Sequence, residues 1–211
     1  ADVVADLAPE NDPAGDDDIF VFRPQAKRTS AAWRAVERAA AKHGNVVHVY
    51  NGKEATVQAY NKAVATPNAH VVFSGHSVED ATHEAGSVHL ADGDVGKFAA
   101  APDRPSDPTI PNTPVGDVKA ESVGVFGCNT SDLADQYQNS TFTGVNSGND
   151  NNTSLTTLDS SARAYTSTIA NGGDEDPGAT SAANSQIRAS RDPQDHNGDK
   201  AVTVKPQPKP Q

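Results

Sequence analysis

The sequence predicts an α/β sandwich in which helices flank a mostly parallel central sheet. Three observations carry that prediction. Five short runs, at residues 19–22, 46–50, 70–75, 123–128 and 141–145, are rich in β-branched and aromatic residues and bounded by Gly, Pro or polar residues. The runs at 70–75 and 123–128 are β-branched or aromatic nearly throughout rather than alternating, as strands covered on both faces are. Between them, apolar residues recur at three- and four-residue steps, so strands alternate with helices, the order that builds a parallel sheet.

Taken in order, residues 1–18 read as a solvated acidic lead-in. Ile19, Phe20, Val21 and Phe22 form the first strand, stopped at Arg23-Pro24. Thr29 and Ser30 offer a helix cap, and Trp33, Val36 and Ala40 then mark one helix face until His43-Gly44. A second strand over 46–50 closes at Asn51-Gly52, and Val57, Tyr60 and Val64 mark a second helix, stopped near Pro67. The third strand runs to Gly75. Next, Ser87-Val88-His89-Leu90 with Ala91-Asp92-Gly93-Asp94 reads as a small hairpin. Residues 95–121, with prolines at 102, 105, 108, 111 and 114, read as one long loop. The fourth strand ends at Cys128, a short helix follows over 131–139, and a fifth strand covers 141–145. Leu155, Leu158, Ala162, Tyr165 and Ile169 then mark a long amphipathic helix ended by Asn171-Gly172-Gly173. From residue 173 to 211 the apolar content collapses, and the segment reads as a polar, flexible tail.

Composition excludes several classes of function. At 211 residues the chain can bury one good core. The 28 Asp and Glu outnumber the 17 Lys and Arg, a net charge of −11, and no basic stripe is present to meet phosphates. Nucleic acid and membrane are therefore not expected partners. No apolar stretch approaches the roughly 18 residues that span a bilayer. One cysteine cannot form an internal disulfide and fits a reducing compartment such as the cytoplasm. The absence of methionine, even at position 1, suggests a processed or partial chain, and removal of a leader remains open. His76, His83 and His89, with Glu79 or Asp80, match no compact zinc spacing, so neither metal nor cofactor is expected.

The chemistry is written at two strand ends. Val71-Val72-Phe73-Ser74-Gly75 runs into His76, and Val123-Gly124-Val125-Phe126-Gly127 runs into Cys128. In an open α/β sheet, reacting groups gather at the carboxyl ends of the strands. A thiol and an imidazole that end two such strands can meet there as nucleophile and base. Taken singly, Cys128 also reads as a small core residue and His76 as a hydrogen-bonded strand-end histidine.

With these two motifs the chain resembles the caspase-like cysteine peptidases, the group of caspases, legumains, gingipains, separases and related bacterial domains. In that group a hydrophobic strand ending in a catalytic His precedes a variable stretch and a hydrophobic strand ending in a catalytic Cys. The resemblance covers about residues 19–172, and the 86–93 hairpin falls where many members carry one. It implies a three-layer caspase-like sandwich, a peptide or protein substrate, and a dyad of His76 and Cys128. It also implies that the backbone N–H groups of Ser77 and Cys128 bind the oxyanion. The family usually has Gly where this chain has Ser77, so Gly-only backbone angles would be lost there. The helix expected after Cys128 would favour its thiolate.

The resemblance draws the first substrate pocket from loops after the first, third and fourth strands. Arg23 is a candidate partner for an acidic substrate side chain, and Asp92, Asp94 or Asp150 for a basic one. Many relatives are zymogens cut within loops, and 95–121 is the expected place for autocleavage. Two other readings stand beside the peptidase. One is a catalytically inactive caspase-like binding module. The other is an α/β-hydrolase with Ser77 as nucleophile in Gly75-His76-Ser77-Val78-Glu79, where Glu79 replaces the last Gly of the elbow.

Overall fold

Each of the five apolar runs forms a strand. The computed structural model describes residues 18–80, 82–97, 111–148, 152–193, 195 and 198–206. Among these, the chain runs through β1 (Ile19–Arg23), α1 (Ala31–Lys42), β2 (Val47–Asn51), α2 (Val57–Val64) and β3 (His70–Ser74). It continues through β4 (Ser77–Glu79), β5 (Ala85–His89), β6 (Asp94–Gly96), β7 (Asn112–Thr113), β8 (Ser122–Phe126) and β9 (Thr141–Asn146). It ends with α3 (Leu155–Ala170), α4 (Thr180–Ala189) and β10 (Lys200–Val204). The six-stranded sheet has the order β10-β9-β8-β3-β1-β2 and is parallel except for the β9–β10 pair.

Alternation along the strands builds two cores. Ile19, Val21 and Val72 face α1, α3 and α4, where they pack with Trp33, Leu158, Tyr165 and Ile187. Phe20, Phe22, Val71 and Phe73 face the other way, onto Tyr60, Leu133 and Tyr137. Both faces are covered, which is why these strands read as continuous apolar runs. The caps are as local chemistry dictates: Ser30, Thr56 and Ser154 each accept from the backbone N–H three residues on. No helix of the described residues is long and apolar enough to cross a membrane.

Several elements differ from the sequence reading. The expected hairpin is part of a second sheet of order β4-β5-β6-β7, with β4 and β5 antiparallel across a bulge. Ser77-Val78-Glu79 is too short and polar to show as a strand by pattern. The described part of the 95–121 loop is anchored rather than open. Val118 and Ala120 are buried in the core, and the N–H groups of Lys119 and Ala120 donate to Val64 O. Residues 98–110 lie outside the described residues.

The expected tail folds back and completes the sheet. Ala183 and Ile187 of α4 pack in the same core as Leu158, Ala162 and Tyr165 of α3, and β10 pairs antiparallel with β9. Asn184 explains how so polar a segment is held. Its side chain donates to Ala201 O at 3.1 Å and accepts from Ala201 N at 2.8 Å, satisfying the outward groups of the edge strand. One thin stripe of small residues and backbone hydrogen bonds does what a hydropathy reading would assign to larger side chains.

One buried polar contact bridges the core. Tyr60 and Tyr137 share a hydroxyl hydrogen bond of 2.8 Å, and burial pushes both phenols well above their ordinary pKa. Replacing Tyr137 by Phe strands the Tyr60 hydroxyl and should destabilise by about 1–2 kcal/mol. Urea unfolding measures this, and an unchanged midpoint would mean that water or another group takes over the bond.

Candidate active site

Strands β3 and β8 are parallel neighbours in register, Ser74 opposite Phe126. The ladder continues one residue beyond the sheet, with Gly75 N donating to Phe126 O at 3.0 Å. The segments 75–77 and 127–129 therefore leave the sheet side by side. A Cβ on Gly127 would lie 3.0 Å from Gly75 O and 2.9 Å from Thr130 Cγ2, so only glycine allows this approach. Ser77 Oγ then donates to Cys128 O at 2.6 Å and ties the two turns together. His76 and Cys128 thus sit at one edge, on adjacent strand exits, as the sequence predicts. His76 is exposed and Cys128 half-buried.

Ser77 occupies ordinary strand backbone, so the expected cost of lacking glycine does not arise. It opens β4 opposite Val88, and among the described residues the non-glycines with positive φ are Asn68, His83 and Asn129. His89 N donates to His76 O at 3.0 Å, which makes Ser77 and Val88 a non-hydrogen-bonded pair. The Ser77 N–H therefore points off the outer edge of β4, away from β5. Its hydroxyl proton is directed to a backbone carbonyl rather than to a base, which suits a brace better than a nucleophile.

The thiol itself differs from expectation. No α-helix follows Cys128. Asn129 takes a left-handed conformation (φ 54°, ψ 18°), and Thr130–Gln136 is a short 3₁₀ segment. The thiol has no helix N-terminus behind it. Burial pushes its pKa up, with the charges of Glu79 and Asp199 acting the same way, against hydrogen bonds from Thr153 N and Ser147. Its Sγ lies 3.4 Å from Thr153 N, 3.5 Å from Thr153 O and 3.8 Å from Asn152 Oδ1.

A chain of small polar groups holds the turn that carries the thiol. Asn129 N donates to Ser147 Oγ at 3.3 Å, and Ser147 N donates to Asn129 Oδ1 at 3.2 Å. Ser147 Oγ meets Thr153 Oγ1 at 2.7 Å, and Thr153 Oγ1 donates to Asp199 Oδ2 at 3.0 Å. Sequence reasoning missed these residues. Asn129 carried a signal, since Asn tolerates left-handed backbone. Ser147, Thr153 and Asp199 carried none, because they lie in polar stretches without periodicity.

The pocket candidates fare differently. Arg23 does end β1 at the same sheet edge, yet it is buried and committed. Its Nε donates to Asp159 Oδ1 at 2.7 Å, Nη1 to Asn51 Oδ1 at 2.8 Å, and its Cζ stacks 5.2 Å from the Trp33 ring centre. It is not placed to receive an acidic substrate. Asp92 accepts from Val57 N at 2.8 Å and caps α2. Asp94 pairs with His89 Nδ1 at 2.6 Å and raises the pKa of that histidine. Asp150 lies outside the described residues. Among the described residues, no group of three or more His, Cys, Asp or Glu is arranged to hold a metal ion.

Comparison with protein-family models, with curated proteins and with solved structures finds no match to this chain.

Proposed function

We propose that this protein is a caspase-like cysteine peptidase, with Cys128 as nucleophile and His76 as general base and then general acid. The observation that carries the reading is the paired exit of β3 and β8. It puts positions 76 and 128 on neighbouring strand exits at the carboxyl edge of a mostly parallel sheet. In this mechanism His76 takes the thiol proton and the Cys128 thiolate attacks the scissile carbonyl carbon. The carbonyl electron pair moves to oxygen, where the N–H groups of Ser77 and Cys128 receive it. His76 gives its proton to the leaving amine as the C–N bond breaks. Water, deprotonated by His76, then hydrolyses the thioester. The second sheet, beginning at Ser77, supports the same reading, because it follows the histidine where relatives carry a hairpin. Autocleavage belongs to the same reading. Within 111–121 it would have to release the buried Val118 and Ala120.

A second reading has one observation in its favour. Burial raises the Cys128 pKa, which suits a non-catalytic binding module better than a resting thiolate. Iodoacetamide alkylation across pH, in wild type and His76→Ala, separates the two. The peptidase reading expects alkylation below about pH 7 that falls at least tenfold in the variant, because imidazolium stabilises thiolate. A thiol that reacts only above about pH 8.5 and ignores His76 would leave the binding module standing.

A further inference from the structure

Glu79 differs from Asp80 and Asp132, the acids beside it at the Cys128 exit. It lies on β4 two residues past Ser77, and both side chains reach the Cys128–Asn129 turn. Ser77 Oγ meets Cys128 O, and Glu79 Oε1 accepts from Asn129 Nδ2 at 3.4 Å. The carboxylate thus lies within one residue of the nucleophile, and its charge is felt at the thiol. Nearby acids are engaged by backbone amides: Asp80 by Thr82 N and Glu84 N, Asp132 by Ala85 N. Glu79 instead holds one long amide contact and a 3.3 Å contact to His83 Nδ1. The His83 side chain is 58 % exposed against 20 % for Glu79, so a largely desolvated carboxylate is matched by a displaceable imidazole.

Among the described residues, two cations near the sheet edge already have carboxylate partners. Arg23 is paired with Asp159, and Lys97 with Asp135. Burial pushes the Glu79 carboxyl pKa up, against His83 and Asn129, which means that the site holds the charge at a cost. An incoming ammonium or guanidinium would relieve that cost through a charge-assisted hydrogen bond in a partly dry setting.

We propose that Glu79 is a specificity-determining residue that selects substrates with a Lys or Arg side chain beside the scissile bond, displacing His83 as its partner. The inference rests on the peptidase reading. The test is cleavage of a proteome-derived peptide library by the full chain, read by mass spectrometry. It is followed by kcat/KM on matched peptides carrying Lys or norleucine at the favoured position. Wild type is expected to enrich Lys and Arg at one position next to the cut. In Glu79→Gln the Lys-to-norleucine ratio should fall on the order of tenfold, and Glu79→Lys should turn the preference to acidic residues. The ratio is taken within one variant, so partial misfolding does not alter it. Cleavage without a basic preference, or a ratio unchanged in Glu79→Gln, overturns the assignment of Glu79 alone. No cleavage of any peptide overturns the peptidase reading and this inference with it.

Discussion

Replacing Asp159 by alanine is expected to destabilise the protein by about 3–5 kcal/mol, the cost of leaving a buried charge without its partner. Asp159 receives four contacts from two side chains. Arg23 donates through Nε at 2.7 Å and Nη2 at 3.2 Å, and Trp33 Nε1 lies 3.2 Å from both carboxylate oxygens. The Arg23 side chain is only 8 % exposed, so its guanidinium cannot exchange the lost carboxylate for bulk water. Asn51 Oδ1 and Arg28 O remain as acceptors, but neither carries charge. The double variant Arg23→Met with Asp159→Leu should recover most of the loss, because removing both charges also removes their desolvation cost. Urea unfolding of the two variants reads this directly. A loss below about 1 kcal/mol for Asp159→Ala, the range of exposed pairs, would mean that water reaches the guanidinium.

Gly144→Ala is the second large effect. A Cβ at this position of β9 would lie 2.5 Å from Ser131 N, 2.6 Å from Ser131 Cα and 2.6 Å from Thr130 C. All three are backbone atoms, so no side chain can rotate away. Either β9 or the 3₁₀ segment must shift, an overpacking cost of about 1–3 kcal/mol, and the melting temperature should fall by roughly 2–12 °C for a chain of this size. The displacement also has a local consequence. Thr130 Oγ1 donates to Val125 O and Gly127 O and accepts from Val145 N at 3.0 Å, which joins the 3₁₀ segment to β8 and β9 beside Cys128. Cys128 alkylation should therefore change in this variant, although residue 144 does not touch the thiol. Wild-type stability and an unchanged alkylation profile together would show that the segment moves freely.

The two variants also mark where the sequence was readable. Ile19 to Phe22, Val71 to Phe73 and Val123 to Phe126 announce covered parallel strands because both of their faces are apolar. Trp33, Val36 and Ala40 announce a helix face because a 3.6-residue period has no other cheap use. These are local statements, and they survive folding. The roles of Arg23, Asp92 and Asp94 are not local. Each is a charge whose meaning depends on a partner far along the chain: Asp159, the N–H of Val57 and the imidazole of His89. A charge beside a strand end looks the same in sequence whether it awaits a ligand or is already neutralised.

The C-terminal segment was illegible for a related reason. Its helix and strand carry few large side chains, and what holds them is a partner surface: the α3 face for Ala183 and Ile187, and the exposed edge of β9 for β10. Asn184 reads as one more polar residue until Ala201 is placed opposite it. By itself, then, the sequence determined the alternation of strands and helices and the two residues, His76 and Cys128, that end the strands. Tertiary structure alone decided that those strands are neighbours, that Thr153 reaches the thiol and Glu79 the adjacent Asn129, and that Arg23 is spent. Hydrophobic periodicity is a property of one segment, whereas adjacency, desolvation and charge pairing are properties of two segments brought together.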